Sequence, residues 1–214
     1  MLGFEEFLEE GKNDPAIFKV VFMAGGPGSG KSYVARILGL QALGFRLINS
    51  DQAFEWLMKK ENVSFKMTEA DPKRDKLRDK AKGIIGNKQA LSVEGRLGMI
   101  IDGTGRDYAV IKRVKDNLEE LGYETMMVFV NTSLETAMDR NEKRARTVPE
   151  KIVKSAWGEV QANIGKFQKL FRNRMNIIDN NGGEIDVNSV YKDIMKFAKS
   201  PLKSKKAREW IKNQ

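Results

Sequence analysis

Cysteine and histidine are both missing from the 214-residue sequence. Without cysteine the chain can form neither disulfides nor thiolate nucleophiles, which is consistent with a reducing compartment. Without histidine it can form no Ser-His-Asp or Cys-His triad, and the two absences together exclude nearly all zinc sites. Any general base in this protein must therefore be a carboxylate or, as the alternative, a lysine.

Long apolar runs are missing too, since no stretch approaches the roughly 18 to 20 apolar residues of a membrane span. The segment from Met1 to Glu6 is acidic, whereas a signal peptide begins with basic residues. We therefore expect a cytoplasmic protein without a membrane partner. The net charge of +9 and the pI near 9.6 predict attraction to a nucleic acid, an anionic membrane surface or a phosphate-bearing small molecule, or only good solubility.

Short apolar runs alternate with segments of helical spacing along the chain. The segments include one that ends at Gly122, a typical helix C-cap, and one that begins after Thr132-Ser133, a typical N-cap. Such alternation predicts an α/β fold whose parallel sheet is covered by helices on both faces, in three layers. The five predicted strands are Phe18 to Ala24, Phe45 to Asn49, Met99 to Asp102, Thr125 to Val130 and Asn176 to Ile178.

The length favours a single domain, which we place at residues 1–198. Residues 53–95 are longer than one crossover helix needs and rich in charge. They predict a helical insertion, which presents either a solvated face or a surface for the substrate. Residues 199–214 are strongly basic and form a tail or a helix that docks on the domain or contacts nucleic acid.

A phosphate-binding motif follows the first predicted strand. Residues 25–32 match G-x-x-x-x-G-K-[ST] at the start of a predicted helix, which is the context that this motif requires. Lys31 is predicted to reach the β- and γ-phosphates of ATP, and the Ser32 hydroxyl to hold Mg²⁺. The predicted cofactor-binding residues are Gly26, Pro27, Gly28, Ser29, Gly30, Lys31, Ser32 and Tyr33.

Two aspartates follow the second and third predicted strands, where the ligand crevice of a doubly wound sheet forms. Asp51 can accept a hydrogen bond from an acceptor hydroxyl and take its proton, or it can cap the helix that begins near Gln52. Asp102, before Gly103, resembles a Walker B aspartate that holds the Mg²⁺ or contacts the acceptor, and the alternative is a turn-forming role.

Basic side chains follow the fourth predicted strand: Arg140, Lys143, Arg144 and Arg146. Arg140 and Arg144 share one helix face at i, i+4. Arginines above the phosphate site can neutralise the charge on a transferred phosphoryl group, although charge runs are also common on solvated helix faces. We take Lys31, Asp51, Arg140 and Arg144 as the candidate catalytic residues.

The order of these motifs resembles the P-loop kinases that include phage polynucleotide 5′-hydroxyl kinases and zeta toxins. The resemblance runs over residues 17–180 and includes Asn49-Ser50-Asp51, Asp102-Gly103-Thr104, and Arg140 to Arg144 followed by Thr147-Val148-Pro149. It implies a P-loop NTPase fold of the nucleotide kinase type. It also implies that Asp51 is the general base, that Arg144 or Arg140 stabilises the transition state, and that Asp102 lies near the acceptor.

The sequence departs from the polynucleotide kinases at Phe54, where they have an arginine one turn past the base. The Asp102-Gly103-Thr104 turn is closer to zeta toxins, which the resemblance links to UDP-N-acetylglucosamine. Related phage kinases phosphorylate hydroxymethylated pyrimidines in DNA, a role that suits a basic single-domain kinase equally well.

Three hypotheses follow from the sequence. The first is an ATP-dependent kinase for a hydroxyl on nucleic acid, DNA rather than RNA, at a 5′ end or a modified base. Its polymer-binding segments would be residues 140–154 and 199–212, which we expect to flank the site. The second is a kinase for a small acceptor, either a UDP-sugar or a nucleotide. The third is a nucleotide-binding switch whose ATP hydrolysis drives an interaction.

Overall fold

The computed structural model describes residues 13–65, 67, 70–144, 146–182, 185 and 187–214. Five parallel strands form one sheet in the order β2-β3-β1-β4-β5. This confirms the predicted five-stranded parallel sheet, and each strand end lies within one residue of its predicted position. The strands are β1 (Lys19–Ala24), β2 (Arg46–Ile48), β3 (Met99–Asp102), β4 (Glu124–Asn131) and β5 (Met175–Asp179).

Helices cover both faces of the sheet, as the alternating pattern predicts. In the part of the chain that the structure describes, none of them is both long and apolar enough to cross a membrane. The helices are α1 (Lys31–Ile37), α2 (Ser50–Lys60), α3 (Pro72–Glu94), α4 (Tyr108–Glu120), α5 (Leu134–Glu142), α6 (Glu150–Phe171), α7 (Asn188–Lys199) and α8 (Lys205–Lys212).

The core consists of one apolar cluster on each face of the sheet. Successive side chains of a strand point to opposite faces, so Val21 of β1 joins the cluster beneath α1 and α7, whereas Phe22 joins the cluster beneath α4 and α6. Both faces of β1 are buried, which is why its sequence is a continuous apolar run and not an alternating one. The sheet is therefore the middle of three layers.

Helices α2 and α3, from the charged region between β2 and β3, have an apolar cluster of their own. Phe54, Leu57 and Met58 of α2 pack with Leu77 and Ala81 of α3. The charged residues of α3 are mostly exposed. The pair of helices stands beside the sheet edge formed by β2.

Helix α8 docks at the amino-terminal edge of the sheet. Its Trp210 ring meets the Phe18 ring edge-on at 5.6 Å between centroids, and Ala207 is buried against Gly122. Phe18 immediately precedes β1, whose opposite end leads into the phosphate-binding motif about 20 Å away at the rise of a β-strand. The prediction that residues 199–212 flank the site is therefore wrong, because their docking contacts are at the other end of the sheet.

A buried ion cluster fixes the segment that leads into α8. The Glu124 carboxylate accepts hydrogen bonds from Lys19 Nζ at 3.2 Å, from Arg174 Nη2 at 3.2 Å and from the Lys203 backbone N–H at 2.7 Å. Lys19 Nζ also donates to Ser200 Oγ at 2.9 Å. Lys19 and Glu124 are both buried, so the hydrogen-bond partners of each charged group have to replace the water that it has lost.

Candidate active site

The phosphate-binding loop curls between β1 and α1 and depends on glycine at two close approaches. Gly28 and Gly30 have φ of +75° and +83°, in the left-handed region that side chains disfavour. A Cβ on Gly28 would lie 2.4 Å from the Ala137 carbonyl oxygen, and one on Gly30 would lie 2.3 Å from Asn180 Nδ2. Only glycine permits this curl, and in loops of this kind backbone N–H groups can bind an anion.

Lys31 crosses the mouth of this loop. Its Nζ donates a hydrogen bond of 2.6 Å to the Gly25 carbonyl. Burial lowers the pKa of Lys31. The negative charges of Asp102 and Asp51 oppose this shift, and the positive charge of Arg144 adds to it. The ammonium group therefore lies within electrostatic range of both predicted acidic residues and one predicted arginine, as a group that serves phosphates requires.

Asn49 connects the two predicted carboxylate positions, a role that the sequence interpretation missed. Its Oδ1 caps α2 by accepting from the backbone N–H groups of Asp51 at 2.7 Å and Gln52 at 3.3 Å, while its Nδ2 donates to Asp102 Oδ2 at 2.5 Å. The capping role considered for Asp51 belongs to Asn49. The available signal was the sequence Asn-Ser-Asp, because asparagine is among the strongest N-cap residues.

Asp102 has the properties of a metal ligand. Its Oδ1 is buried and has no hydrogen-bond partner in the described part of the chain, although buried carboxylate oxygens are normally satisfied. Burial raises the pKa of Asp102, and the negative charge of Asp51 raises it further. The positive charge of Lys31 and the hydrogen bond from Asn49 oppose this shift. The open Oδ1 and the nearby Ser32 hydroxyl are oxygen donors of the kind that Mg²⁺ prefers.

No cluster of three or more acidic, histidine or cysteine side chains suited to a metal occurs among the residues described. In phosphotransferases Mg²⁺ is usually held by only one or two protein oxygens, together with substrate phosphates and waters. Ser32 and Asp102 both line the same cavity, so the predicted pair of ligands is brought together.

Arg140 is tied to the phosphate-binding loop. Its Nη1 donates to the Asn180 carbonyl at 2.9 Å and to the Gly28 carbonyl at 3.4 Å, and its Nη2 donates to Asn180 Oδ1 at 3.0 Å. Asn180, directly after β5, is buried and donates from Nδ2 to the Ser29 carbonyl at 2.7 Å. Arg140 therefore has a supporting role that the sequence pattern did not predict.

The segment after α5 carries the remaining basic side chains over the site. Asn141 holds it in place, since its Nδ2 donates to the Val148 carbonyl at 2.8 Å and its Oδ1 accepts from the Val148 N–H at 3.1 Å. Arg144 is exposed and lines the cavity. Arg146 places Nη1 3.3 Å from both Asp51 Oδ1 and Glu55 Oε1, so this segment contacts the proposed base directly.

These side chains surround one cavity of about 760 Å³ at the carboxyl edge of the sheet. It is lined by all four candidate catalytic residues, by both candidate metal ligands and by most of the predicted loop residues. Two predicted cofactor-binding residues do not line it. Ser29 is buried beneath the loop, and the Tyr33 ring lines a neighbouring cavity.

A family model described as an AAA domain matches residues 20–167, which is most of the chain and includes every candidate catalytic residue. The chain belongs to this P-loop family. The match supports ATP as the nucleotide. No curated protein matches the sequence.

Solved structures share the fold of this P-loop family member at low sequence identity. An AvrRxo1-ORF1:AvrRxo1-ORF2 complex with sulphate ions has a TM-score of 0.61 at 14% identity, over 98% of this chain and 78% of that one. A structure of the PezAT toxin-antitoxin system of Streptococcus pneumoniae has a TM-score of 0.57 at 15% identity, over 100% and 96%.

A third structure, from the Pnkp1/Rnl/Hen1 RNA repair complex, has a TM-score of 0.53 at 17% identity and covers 70% of this chain and 46% of that one. At these identities the likeness concerns the fold alone. The three structures agree with the P-loop kinase fold that the motif order implied, and the identity of the acceptor has to be argued from the site itself.

Proposed function

We propose that this protein is an ATP-dependent kinase that transfers the γ-phosphoryl group to a hydroxyl of a nucleic acid, either a 5′ end or a hydroxymethylated base in DNA. One observation carries the proposal. The Asp51 carboxylate, free of a capping role, faces the same cavity as Lys31, Asp102 and Arg144. A cavity with a base on one side and phosphate-binding cations on the other suits phosphoryl transfer.

The reaction assigns a separate task to each side chain. An acceptor hydroxyl donates a hydrogen bond to Asp51, and Asp51 takes its proton as the new O–P bond forms and the bond between the γ-phosphorus and the β,γ-bridging oxygen breaks. Lys31 and Arg144 neutralise the negative charge that spreads over the transferred group. Arg140, through Asn180, keeps the loop in the shape that these contacts require.

The metal ion has a place in the same scheme. Ser32 and Asp102 would hold Mg²⁺, which supplies charge neutralisation at the phosphate oxygens when bound. Asn49 orients the Asp102 carboxylate from one side through Oδ2 and leaves Oδ1 open. Asn49 thus contacts both aspartates, because its Oδ1 also accepts from the Asp51 backbone N–H.

Charge at the site supports a nucleic-acid acceptor. Lys143, Arg144 and Arg146 lie on the segment above Asp51, at the mouth of the cavity. Cations in this position can contact the phosphates that follow an acceptor hydroxyl along a polynucleotide. We favour DNA over RNA on the resemblance to phage kinases.

A small acceptor is the second candidate, and one observation favours it. Helix α8 lies at the far edge of the sheet, which removes one of the two segments expected to hold a polymer. A zeta toxin-like UDP-sugar kinase or a nucleotide kinase would use the same base and the same phosphate-binding cations.

Labelled ATP offered to a panel of acceptors tests the proposal. The panel contains 5′-hydroxyl DNA and RNA, hydroxymethylated DNA, nucleoside monophosphates and UDP-sugars. We expect label on DNA, at the 5′ end or on the modified base. Label only on a UDP-sugar or a nucleotide would favour the second candidate, and ATP hydrolysis with no labelled acceptor would support the nucleotide-binding switch.

A further inference from the structure

A second cavity lies against the candidate active site on the other side of Asp102. It has a volume of about 640 Å³ and shares three lining residues with the first cavity, namely Ser32, Gln52 and Asp102. A molecule bound there would have one end at the candidate metal ligand. The volume is typical of sites for small organic groups.

The walls of the second cavity are those of a site for a flat, uncharged ring. Tyr33 of α1 is half exposed, and the Arg36 guanidinium lies 5.4 Å from its ring centroid. The floor is apolar, formed by Leu47 and Ile100, which are neighbours in register on β2 and β3. An aromatic side chain backed by an arginine offers a surface on which bases stack.

Two amide side chains, Gln41 and Gln52, complete the lining. An amide both donates and accepts hydrogen bonds, so it can pair with the edge of a heterocycle. Gln52 is adjacent to the proposed base, at the start of α2. These groups give the cavity polar contacts along its rim without adding charge.

The distribution of cations separates the two cavities. Five basic side chains line the first cavity, which are Lys31, Arg140, Lys143, Arg144 and Arg146. Among the described residues that line the second cavity, Arg36 is the only basic one. Phosphates are therefore drawn to the first cavity, and an uncharged ring is the better occupant of the second.

We infer that the second cavity binds the nucleobase of the acceptor, stacked on Tyr33 and Arg36, so that a hydroxyl of the same acceptor molecule reaches Asp51. The inference rests on the proposed kinase function and specifies one part of its acceptor. A nucleobase is common to a polynucleotide end, a modified base, a nucleotide and a UDP-sugar, so the experiment has to distinguish these sources.

Direct binding of free nucleosides tests the cavity without any phosphoryl transfer. Thymidine, 5-hydroxymethyl-2′-deoxycytidine and uridine are titrated by calorimetry into the wild-type protein and into Ala42→Trp. Ala42 is exposed at the rim of the second cavity, so tryptophan fills the space from outside the core. The matched control is Ala109→Trp, because Ala109 is an exposed alanine that lines a different cavity.

We expect Ala42→Trp to weaken nucleoside binding at least about tenfold, with Ala109→Trp equal to wild type. Tyr33→Leu should weaken it about 5- to 100-fold, the range for losing one base–aromatic stack, and Tyr33→Phe should keep most of it. A second pair of tyrosine variants, Tyr191→Leu and Tyr191→Phe, controls for loss of a similarly exposed ring elsewhere. Unchanged nucleoside binding in Ala42→Trp, or no binding to the wild type at millimolar concentration, overturns the inference.

Transfer assays with the same variants test which kind of acceptor molecule supplies the nucleobase. One acceptor is a 5′-hydroxyl oligonucleotide with a normal terminal residue, and its partner has an abasic terminal residue. If Ala42→Trp raises the acceptor KM only for the normal end, the base belongs to a polynucleotide end. An increase with hydroxymethylated DNA or a UDP-sugar identifies those sources instead, and each of these results supports the cavity assignment.

The inference and the kinase proposal fail in different ways. If acceptors that contain a nucleobase are phosphorylated and Ala42→Trp has no effect, the kinase proposal is supported and the nucleobase site is refuted. If the wild type binds nucleosides, Ala42→Trp abolishes this binding, and no acceptor is phosphorylated, the nucleobase site is supported and the kinase proposal is refuted.

Discussion

The two ends of the strands, which form the amino edge and the carboxyl edge of the sheet, use the same kinds of charged side chain in different ways. At the amino edge, Glu124 is surrounded by Lys19, Arg174 and the Lys203 N–H, all within hydrogen-bond distance. At the carboxyl edge, Asp102 keeps a buried oxygen without a hydrogen-bond partner among the described residues, and Lys31 Nζ donates to the backbone carbonyl of Gly25 and not to a carboxylate.

The difference separates charges that hold the fold together from charges held ready for a ligand. A buried charge stabilises a protein only when partners replace the water that it has lost. Glu124 has such partners, whereas burial raises the pKa of Asp102 and its Oδ1 has no hydrogen-bond partner among the described residues. A bound Mg²⁺ would supply the partner that this oxygen lacks.

The largest expected effect is at the amino edge. Glu124→Gln should destabilise the protein by about 3–5 kcal/mol, because it leaves the buried Lys19 ammonium without its counter-charge. Urea unfolding measures the loss, and phosphoryl transfer by the folded variant should be unchanged. The control is Glu159→Gln, which breaks an exposed ion pair with Arg106 and should cost less than about 1 kcal/mol. Equal losses in the two variants would contradict the proposed role of the buried cluster.

The same cluster predicts a pH dependence. Burial raises the pKa of Glu124, but the Lys203 N–H bond, Lys19 and Arg174 outweigh it, so the pKa is lowered overall. The unfolded chain then binds a proton at a higher pH than the folded one. Stability from Glu124 is present above the unfolded pKa near 4.3 and is lost as the pH falls through the folded pKa. Glu124→Gln should lack this acid-induced loss.

The next effect is at the carboxyl edge, where activity and stability should move in opposite directions. Lys31→Met should lower phosphoryl transfer about 10²- to 10³-fold, the size typical for losing one preorganised charge-stabilising donor. The variant should be at least as stable as wild type, because a desolvated lysine with a lowered pKa destabilises the fold at neutral pH. Kinetics and urea unfolding of the same preparation give both values. A clear loss of stability would mean that Lys31 belongs to the fold and not to the ligand site.

A smaller effect separates the two arginines that share a helix face. Arg144→Ala should lower kcat about 10- to 100-fold with little change in ATP affinity, because its proposed partner is charge that develops in the transition state. Arg140→Ala should instead weaken ATP binding, since it removes the contacts to Gly28 and Asn180 that shape the loop. Steady-state kinetics with an ATP-binding titration separates the two patterns, and identical behaviour would contradict the division of roles.

The smallest effect concerns α8. Joint replacement of Lys205, Lys206 and Arg208 by alanine should leave transfer to a very short acceptor unchanged, because α8 docks at the opposite edge. If the cations at the site hold a polynucleotide, DNA affinity should fall with salt at a log–log slope that implies at least about three phosphate contacts. Most of this slope should survive in the triple variant. Loss of the whole slope would place the polymer along α8.

The sheet and the main site residues could be predicted from the sequence because they depend on local order. Residues that directly follow a parallel strand lie at the carboxyl end of the sheet. The order of strands in the sequence therefore predicts that the phosphate-binding motif, Asp51 and Asp102 lie at this end. The residue type alone does not say which side chain caps α2, since Asn49 and Asp51 are both good cap residues; in the structure Asn49 caps it.

The remaining features depend on contacts between residues distant in the chain. Arg140 could not be separated from Arg144 by spacing, because the difference lies in Asn180, forty residues away. The pairing of Arg146 with Asp51 and the docking edge of α8 also depend on tertiary packing. Tyr33 directly follows the motif in the sequence, but the direction of α1 turns its side chain into the neighbouring cavity.

The most direct test of the account is the comparison of Asp51→Asn with Asp102→Asn in phosphoryl transfer and in ATP binding. The account predicts that Asp51→Asn lowers turnover about 10²- to 10⁴-fold, the usual contribution of a general base, while ATP affinity in the presence of Mg²⁺ stays close to wild type. Asp102→Asn should weaken Mg²⁺-dependent ATP binding as well as turnover. Near-normal turnover in Asp51→Asn, with collapse of turnover alone in Asp102→Asn, would contradict the assignment of Asp51 as the base.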